Sequence, residues 1–360
     1  MSVFFRRKHI KEPRVFHTSR SMRLLYNAED WRPILWVVLY FFTSAWAWNH
    51  YHNHVWVLAV VYYLSFAGAC ISHNTMHART FLNSWHESVW RHMLSHTYGH
   101  PVSTFVSGHN LSHHRYTQTA MDPMRTSKLR YKFHLLNFLL FQPTVAADVF
   151  RMDLRYLGLK RHCMHSYYTT CLNEWMLLVF SQATLLVMDP AKFALCIWLP
   201  HLFAQWAIVT MNLLQHDGCA HDQDDINGSR NFTGKLLNYL TFNNGFHTIH
   251  HMNPTLHWSK LPLAHAKSVQ GKNDHALNQP SMGLYIFHTF VYPGRRVTFK
   301  GDPVKLGTKE AADQDWVMQH APEGVVLEDF DISCSDVLRA LPLMPFKVLS
   351  PLYSAHFKVN

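Results

Sequence analysis

Three short segments concentrate histidine in this chain: His73-Asn-Thr-Met-His77, His109-Asn-Leu-Ser-His113-His114 and His247-Thr-Ile-His250-His251. Imidazole ligates Zn, Cu, Fe and Ni. The eight imidazoles of these boxes exceed what one ion can take, so the pattern predicts two metals. On a helix, residues i, i+3 and i+4 share a face. The spacing therefore predicts that His73 and His77 point the same way. It predicts the same of His109 and His113, with His114 beside them, and of His247, His250 and His251. With 29 histidines in 360 residues, some such spacings arise by chance. His92, His96 and His100 run i, i+4, i+8 outside any box and read as polar-face residues or supports for ligands. Three boxes, two of them ending in a His-His doublet and all in membrane-flanking positions, are much harder to obtain by accident.

The elements that position the boxes are visible as apolar runs. Ile34 to Trp48 and Val55 to Ile71 are nearly uncharged and separated by Asn49-His-Tyr-His-Asn-His54; Leu172 to Met188 and Phe193 to Leu214 are separated by Asp189-Pro190. A spanning helix needs about 20 mostly apolar residues. The expected fold is all-α and integral to a membrane: four spans, at about 34–50, 54–71, 172–188 and 193–214, in two hairpins under a helical cytosolic cap. Trp31, Trp36, Trp46 and Trp48 suit the membrane interface. Leu135–Phe150 is also apolar, but Gln142-Pro143 interrupts it, and it reads as an interfacial or buried helix. Residues 1–30 read as a cytosolic arm, 31–300 as the membrane domain and 301–360 as a cytosolic tail with an acidic patch at Glu328, Asp329 and Asp331.

Lys and Arg crowd the first 33 residues and the segment from Arg79 to Arg161, whereas the two tight turns hold only Lys192 between them. The positive-inside rule then places both termini and all three boxes on the cytosolic side, of either the endoplasmic reticulum or a bacterial inner membrane. The net charge of +10 flanks apolar segments, where it favours anionic headgroups. No basic–aromatic interleaving or motif for nucleic acid accompanies it. Six cysteines without a CxxC read as reduced thiols. The long basic region before the first apolar run is unlike a cleavable signal peptide.

His216 sits just past the fourth run, as His73 sits just past the second, and Asn212 lies one helical turn before it. That makes His216 a ninth candidate ligand, with Asn212 reaching a metal-bound water. Taken together, HxxxH, HxxxHH, HxxHH and an NxxxH after the fourth run resemble the membrane fatty acid desaturase and hydroxylase superfamily over roughly residues 30–270. Gly245–Pro262 resembles the third-box region of acyl-lipid desaturases. The first box departs from the HxxxxH of animal acyl-CoA desaturases. The resemblance assigns His73, His77, His109, His113, His114, His216, His247, His250 and His251 to two iron ions, with Asn212 as an indirect ligand.

That resemblance implies O2-dependent desaturation of an acyl lipid or acyl thioester, or, on the same scaffold, hydroxylation or ketolation of a lipid, carotenoid or alkane. The iron carries the hard chemistry and the protein supplies position. The ExxH of soluble di-iron carboxylate proteins is missing. His86-Glu87 has Trp90 where a zincin would place its second histidine. No GxGxxG and no fused haem module occur, so electrons are expected from a cytochrome b-type protein or a ferredoxin with its reductase.

Overall fold

The computed structural model describes residues 23–220, 226–307 and 313–325. Most of the basic arm, Cys334 and the acidic patch at 328–331 lie outside the described residues. The fold is helical, and the only strands among the described residues are the two-residue parallel pair Asn231–Phe232 and Asn278–Gln279. Helices α1 (Trp31–His50) and α2 (Trp56–His77) form the first hairpin, and α3 (Ser84–Tyr98) follows. A π-helix, Val106–His113, leads to the long α4 (His134–Cys163). The second hairpin joins α5 (His165–Met188) to α6 (Pro190–His216). Four short helices close the chain around it: α7 (Lys235–Leu240), α8 (His247–Met252), α9 (Leu261–Ser268) and α10 (Met282–Val291).

Three described helices are long and apolar enough to cross a membrane: α2, α5 and α6. The first expected span, α1, is a 20-residue helix but is not among them. Its tryptophans, with Arg32, Asn49 and His50, dilute its aliphatic content.

Local chemistry sets the helix ends. Asn83 Oδ1 accepts from Trp85 N at 2.8 Å and starts α3. Gly99 ends α3 at φ +75°, where a Cβ would also meet the His201 ring at 2.5 Å. Asp189 Oδ1 accepts from Lys192 N at 3.0 Å and Pro190 occupies the first helical position of α6. The helix expected over Leu135–Phe150 is present within α4, which runs through Pro143 for 30 residues. A proline lacks the N–H that would bond four residues back. The carbonyl so released, Leu139 O, accepts from Trp206 Nε1 on α6 at 3.1 Å.

The most extensive helix contact is α2 against α6. Ala67, Ala69, Ile71, Trp90, Leu94, Ala204 and Ile249 join α2, α3, α6 and the third box in one apolar core. Gly68 lets α3 approach, since a Cβ there would lie 2.3 Å from Thr97 Oγ1. A buried carboxylate, Glu174 on α5, accepts from Ser103 N (2.8 Å) and Ser103 Oγ (2.6 Å), pinning the segment that enters the π-helix. Residues 313–320, expected as part of a tail, pack onto this body. Trp316 is buried against Tyr156, Asp315 pairs with Arg155 at 2.6 Å, and Asp313 pairs with Lys128 at 2.7 Å.

Candidate metal centre

The last turns of α2 and α6, the π-helix and α8 converge, and they bring all nine predicted histidines together. Their ring nitrogens fall into two groups. His73, His77, His109, His114 and His250 form one; His113, His216, His247 and His251 form the other. Within each group the donor atoms lie within 4.8 Å of one another. Asn212 belongs to neither group. Its amide donates to Met124 O at 3.0 Å, and the residue lines the cavity beside the groups. His92 and His96 stand apart, with His96 Nε2 3.0 Å from Ser181 Oγ. Glu87 is used structurally, accepting from Phe81 N (2.8 Å) and Thr80 N (3.2 Å).

The grouping differs from the shared faces expected of α-helical boxes. The second box lies on a π-helix, whose bonds run i to i+5. His109 and His114 therefore align, with Nε2 atoms 3.0 Å apart, and His113 turns to the other group. On α8, His247 and His251 are about 40° apart around the helix and pair at 3.0 Å, whereas His250 projects about 60° to the other side of His247. His250 meets His114 at 3.0 Å instead. Only the first box keeps its expected face: His73 and His77 stay in one group.

The donor set fits bound metal. His113 Nδ1 donates to Asp122 Oδ2 at 2.9 Å, and His216 Nδ1 donates to Gly228 O at 3.1 Å. In each ring this leaves Nε2 as the atom free to ligate, and the two lie 3.2 Å apart. Facing lone pairs repel unless a cation lies near both. His247 Nε2 faces His216 at 2.9 Å as well as His251, and His109 Nε2 faces His73 at 2.8 Å as well as His114. Burial, then the neighbouring imidazoles, push His109, His114, His247, His250 and His251 well below the ordinary histidine range, which keeps them in the neutral, ligating form.

Asp122 was not singled out by the sequence. Burial acts to raise its pKa, but His113 and the N–H groups of Gln118 and Met124 outweigh this and hold it below the usual carboxylate range. A lone acid beyond a box carries no spacing signal, so nothing in the sequence marks it as the partner of His113.

A cavity of about 370 Å3 adjoins the groups, reached by His73, His109 and His247 and walled by Val145, Val149, Ile208 and Val209. The five cysteines among the described residues are free thiols. No curated protein matches the chain. The family model for fatty acid desaturase matches residues 52–280, which contain all three boxes, His216 and Asn212. That match covers well over half of the chain, which therefore belongs to the fatty acid desaturase family.

Proposed function

We propose that the nine imidazoles hold two iron ions, five ligands to one and four to the other, and that the protein uses O2 to desaturate a fatty acyl chain lying in the cavity. Family membership makes it an oxidoreductase of the desaturase and hydroxylase type. The observation that carries the finer reading is the meeting of both imidazole groups with one largely apolar cavity, through His73 and His109 on one side and His247 on the other. Iron at these groups would supply the O2 activation needed to take hydrogen from an unactivated CH2, which no side chain here can do alone.

The chain's own residues bind, orient and exclude water. Val145, Val149, Ile208 and Val209 offer an apolar wall that holds a methylene chain and keeps water from the reacting carbons. Asp122 and Gly228 O fix the tautomers of His113 and His216. Asn212 lies one turn before His216 and on the cavity wall, which supports its reaching the four-imidazole group through a water.

In this reading α1 is the fourth span. It pairs with α2 and turns Leu35, Leu39 and Phe42 outward as a lipid-facing stripe. Residues 31–300 form the membrane domain between a cytosolic arm and tail, with the imidazoles on the cytosolic side. A cytochrome b-type protein or a ferredoxin with its reductase delivers electrons. Cysteines introduced as Asn53→Cys and Pro190→Cys are then labelled from the far side only; cytosolic labelling of either contradicts the topology.

The functional test is mass-spectrometric profiling of fatty acid methyl esters after heterologous expression. New double bonds support desaturation. New hydroxyl or keto groups mean that the scaffold runs as a hydroxylase or ketolase. No O2-dependent product would sink both.

A further inference from the structure

The cavity is not apolar throughout. Its wall can be followed as a path of ring contacts. Phe105 lies 6.4 Å from His73 and 6.1 Å from His109, and 5.8 Å from Tyr98 on its other side. Tyr98 meets His100 at 6.1 Å, His100 meets Trp175 at 5.2 Å, and Trp175 meets Phe150 at 6.1 Å. The far end of this path, with Thr104 and Asp153, also lines a small adjoining chamber of about 10 Å3 that none of the nine clustered histidines reaches. These residues therefore form a second pole of the cavity, marked off by the chamber they share. Phe150 is 44% exposed, so this pole borders the molecular surface.

Two polar groups stand at that pole with spare hydrogen-bonding capacity. Asp153 is only 8% exposed, yet Ser107 Oγ, donating to Oδ1 at 2.6 Å, is the one donor it meets among the described residues. Burying a carboxyl on a single hydrogen bond is costly, and such a group calls for an explanation. Burial pushes the carboxyl up to about 7, so at neutral pH much of it is protonated and can both donate and accept. His100 spends Nδ1 near Thr104 Oγ1 at 3.0 Å and has no partner for Nε2 among the described residues.

An apolar wall distinguishes poorly between successive positions of a methylene chain, because one CH2 changes binding only about 10–200-fold even in a fitted pocket. Placing one pair of carbons at the imidazoles needs a fixed point elsewhere on the substrate. We infer that Asp153 and His100 form that point by hydrogen bonding an oxygen function of the lipid, either a hydroxyl on the chain or the carbonyl of its acid or ester end, and so set which carbons are presented to the imidazole groups. This rests on the reading of the cavity as an acyl-chain site.

The test uses purified metal-loaded protein in lipid nanodiscs and displacement of radiolabelled stearic acid. The competitors are octadecane, methyl stearate, stearic acid and a positional series of monohydroxystearic acids. At least one oxygen-bearing probe is expected to bind about tenfold or more tightly than octadecane. Preference for the acid or ester over the alkane assigns the pole to the head end; preference for one hydroxy isomer over stearic acid assigns it to a mid-chain hydroxyl. Asp153→Leu and His100→Phe should each bring the ratio close to one at matched metal content. Asp153→Asn should retain it, because a carboxamide also donates and accepts. All probes binding alike, or a ratio that survives in both Asp153→Leu and His100→Phe, overturns the inference. Acyl oxidation in cells without any probe preference removes the polar pole alone. Probe preference without an oxidised product removes the acyl-oxidation reading alone. Failure of every probe to displace stearic acid removes both.

Discussion

The two imidazole groups are built differently. In the four-imidazole group the protein keys two of the rings: His113 Nδ1 donates to Asp122 Oδ2, and His216 Nδ1 donates to Gly228 O. In the five-imidazole group His73 Nδ1, His77 Nε2 and His114 Nδ1 are buried without a hydrogen-bond partner. Its rings are placed by the end of α2, by the π-helix, by α8 and by one another. The first group is preorganised by hydrogen bonds that orient ligands. The second depends on helix packing to bring its donors together and on a cation to settle their orientation. One centre thus combines a keyed half with a half held by its scaffold.

The largest expected effect breaks the scaffold-held half outright. His250→Ala removes one of its five donors and is expected to abolish product formation, while His96→Ala, which loses contacts to Ser181 and to the His92 carbonyl, keeps a measurable fraction. Both variants are compared at matched protein and iron content. Equal and complete inactivation would mean that the two groups are drawn wrongly. Activity surviving in His250→Ala would remove the role given to the boxes.

Asp122→Asn addresses the keyed half. Loss of a carboxylate behind a ligating histidine costs about 10–100-fold in metal affinity or activity. The loss should fall on one metal of the two, read as a biphasic release under graded chelation. Monophasic release unchanged from the parent protein would erase the distinction between the halves.

A smaller effect is expected from Gly68→Ala, in α2 just before His73. The added Cβ would lie 2.3 Å from Thr97 Oγ1, so α2 and α3 must move apart. Overpacking of this kind costs about 1–3 kcal/mol. A lowered unfolding midpoint, with metal lost first from the scaffold-held half, sharpens the comparison; an unaltered midpoint and metal content argues that helix packing does not place that half.

The meeting of the nine histidines was legible in the sequence because side chains three to five apart on a helix leave a spacing signature, and because apolar runs announce the helices that carry them. Their division between groups was not. It depends on the π-helix at Val106–His113, which adds a residue to the turn without any residue type that demands it, and on His250 facing away from His247 and His251. What sustains α4 at Pro143 was not legible either: the released Leu139 carbonyl is taken up by Trp206, more than sixty residues away. Asp122, Asp153 and Glu174 are isolated acids whose partners are tertiary, so chain order could not assign them. The hairpins were legible from hydropathy, although α1, rich in tryptophan, falls short of the other three helices.

The central claim is that the nine imidazoles hold two irons, and metal analysis of purified protein tests it most directly. After iron-replete expression the account predicts about two irons per chain, falling sharply in His250→Ala, and no tightly bound flavin. One zinc and no iron per chain would contradict it.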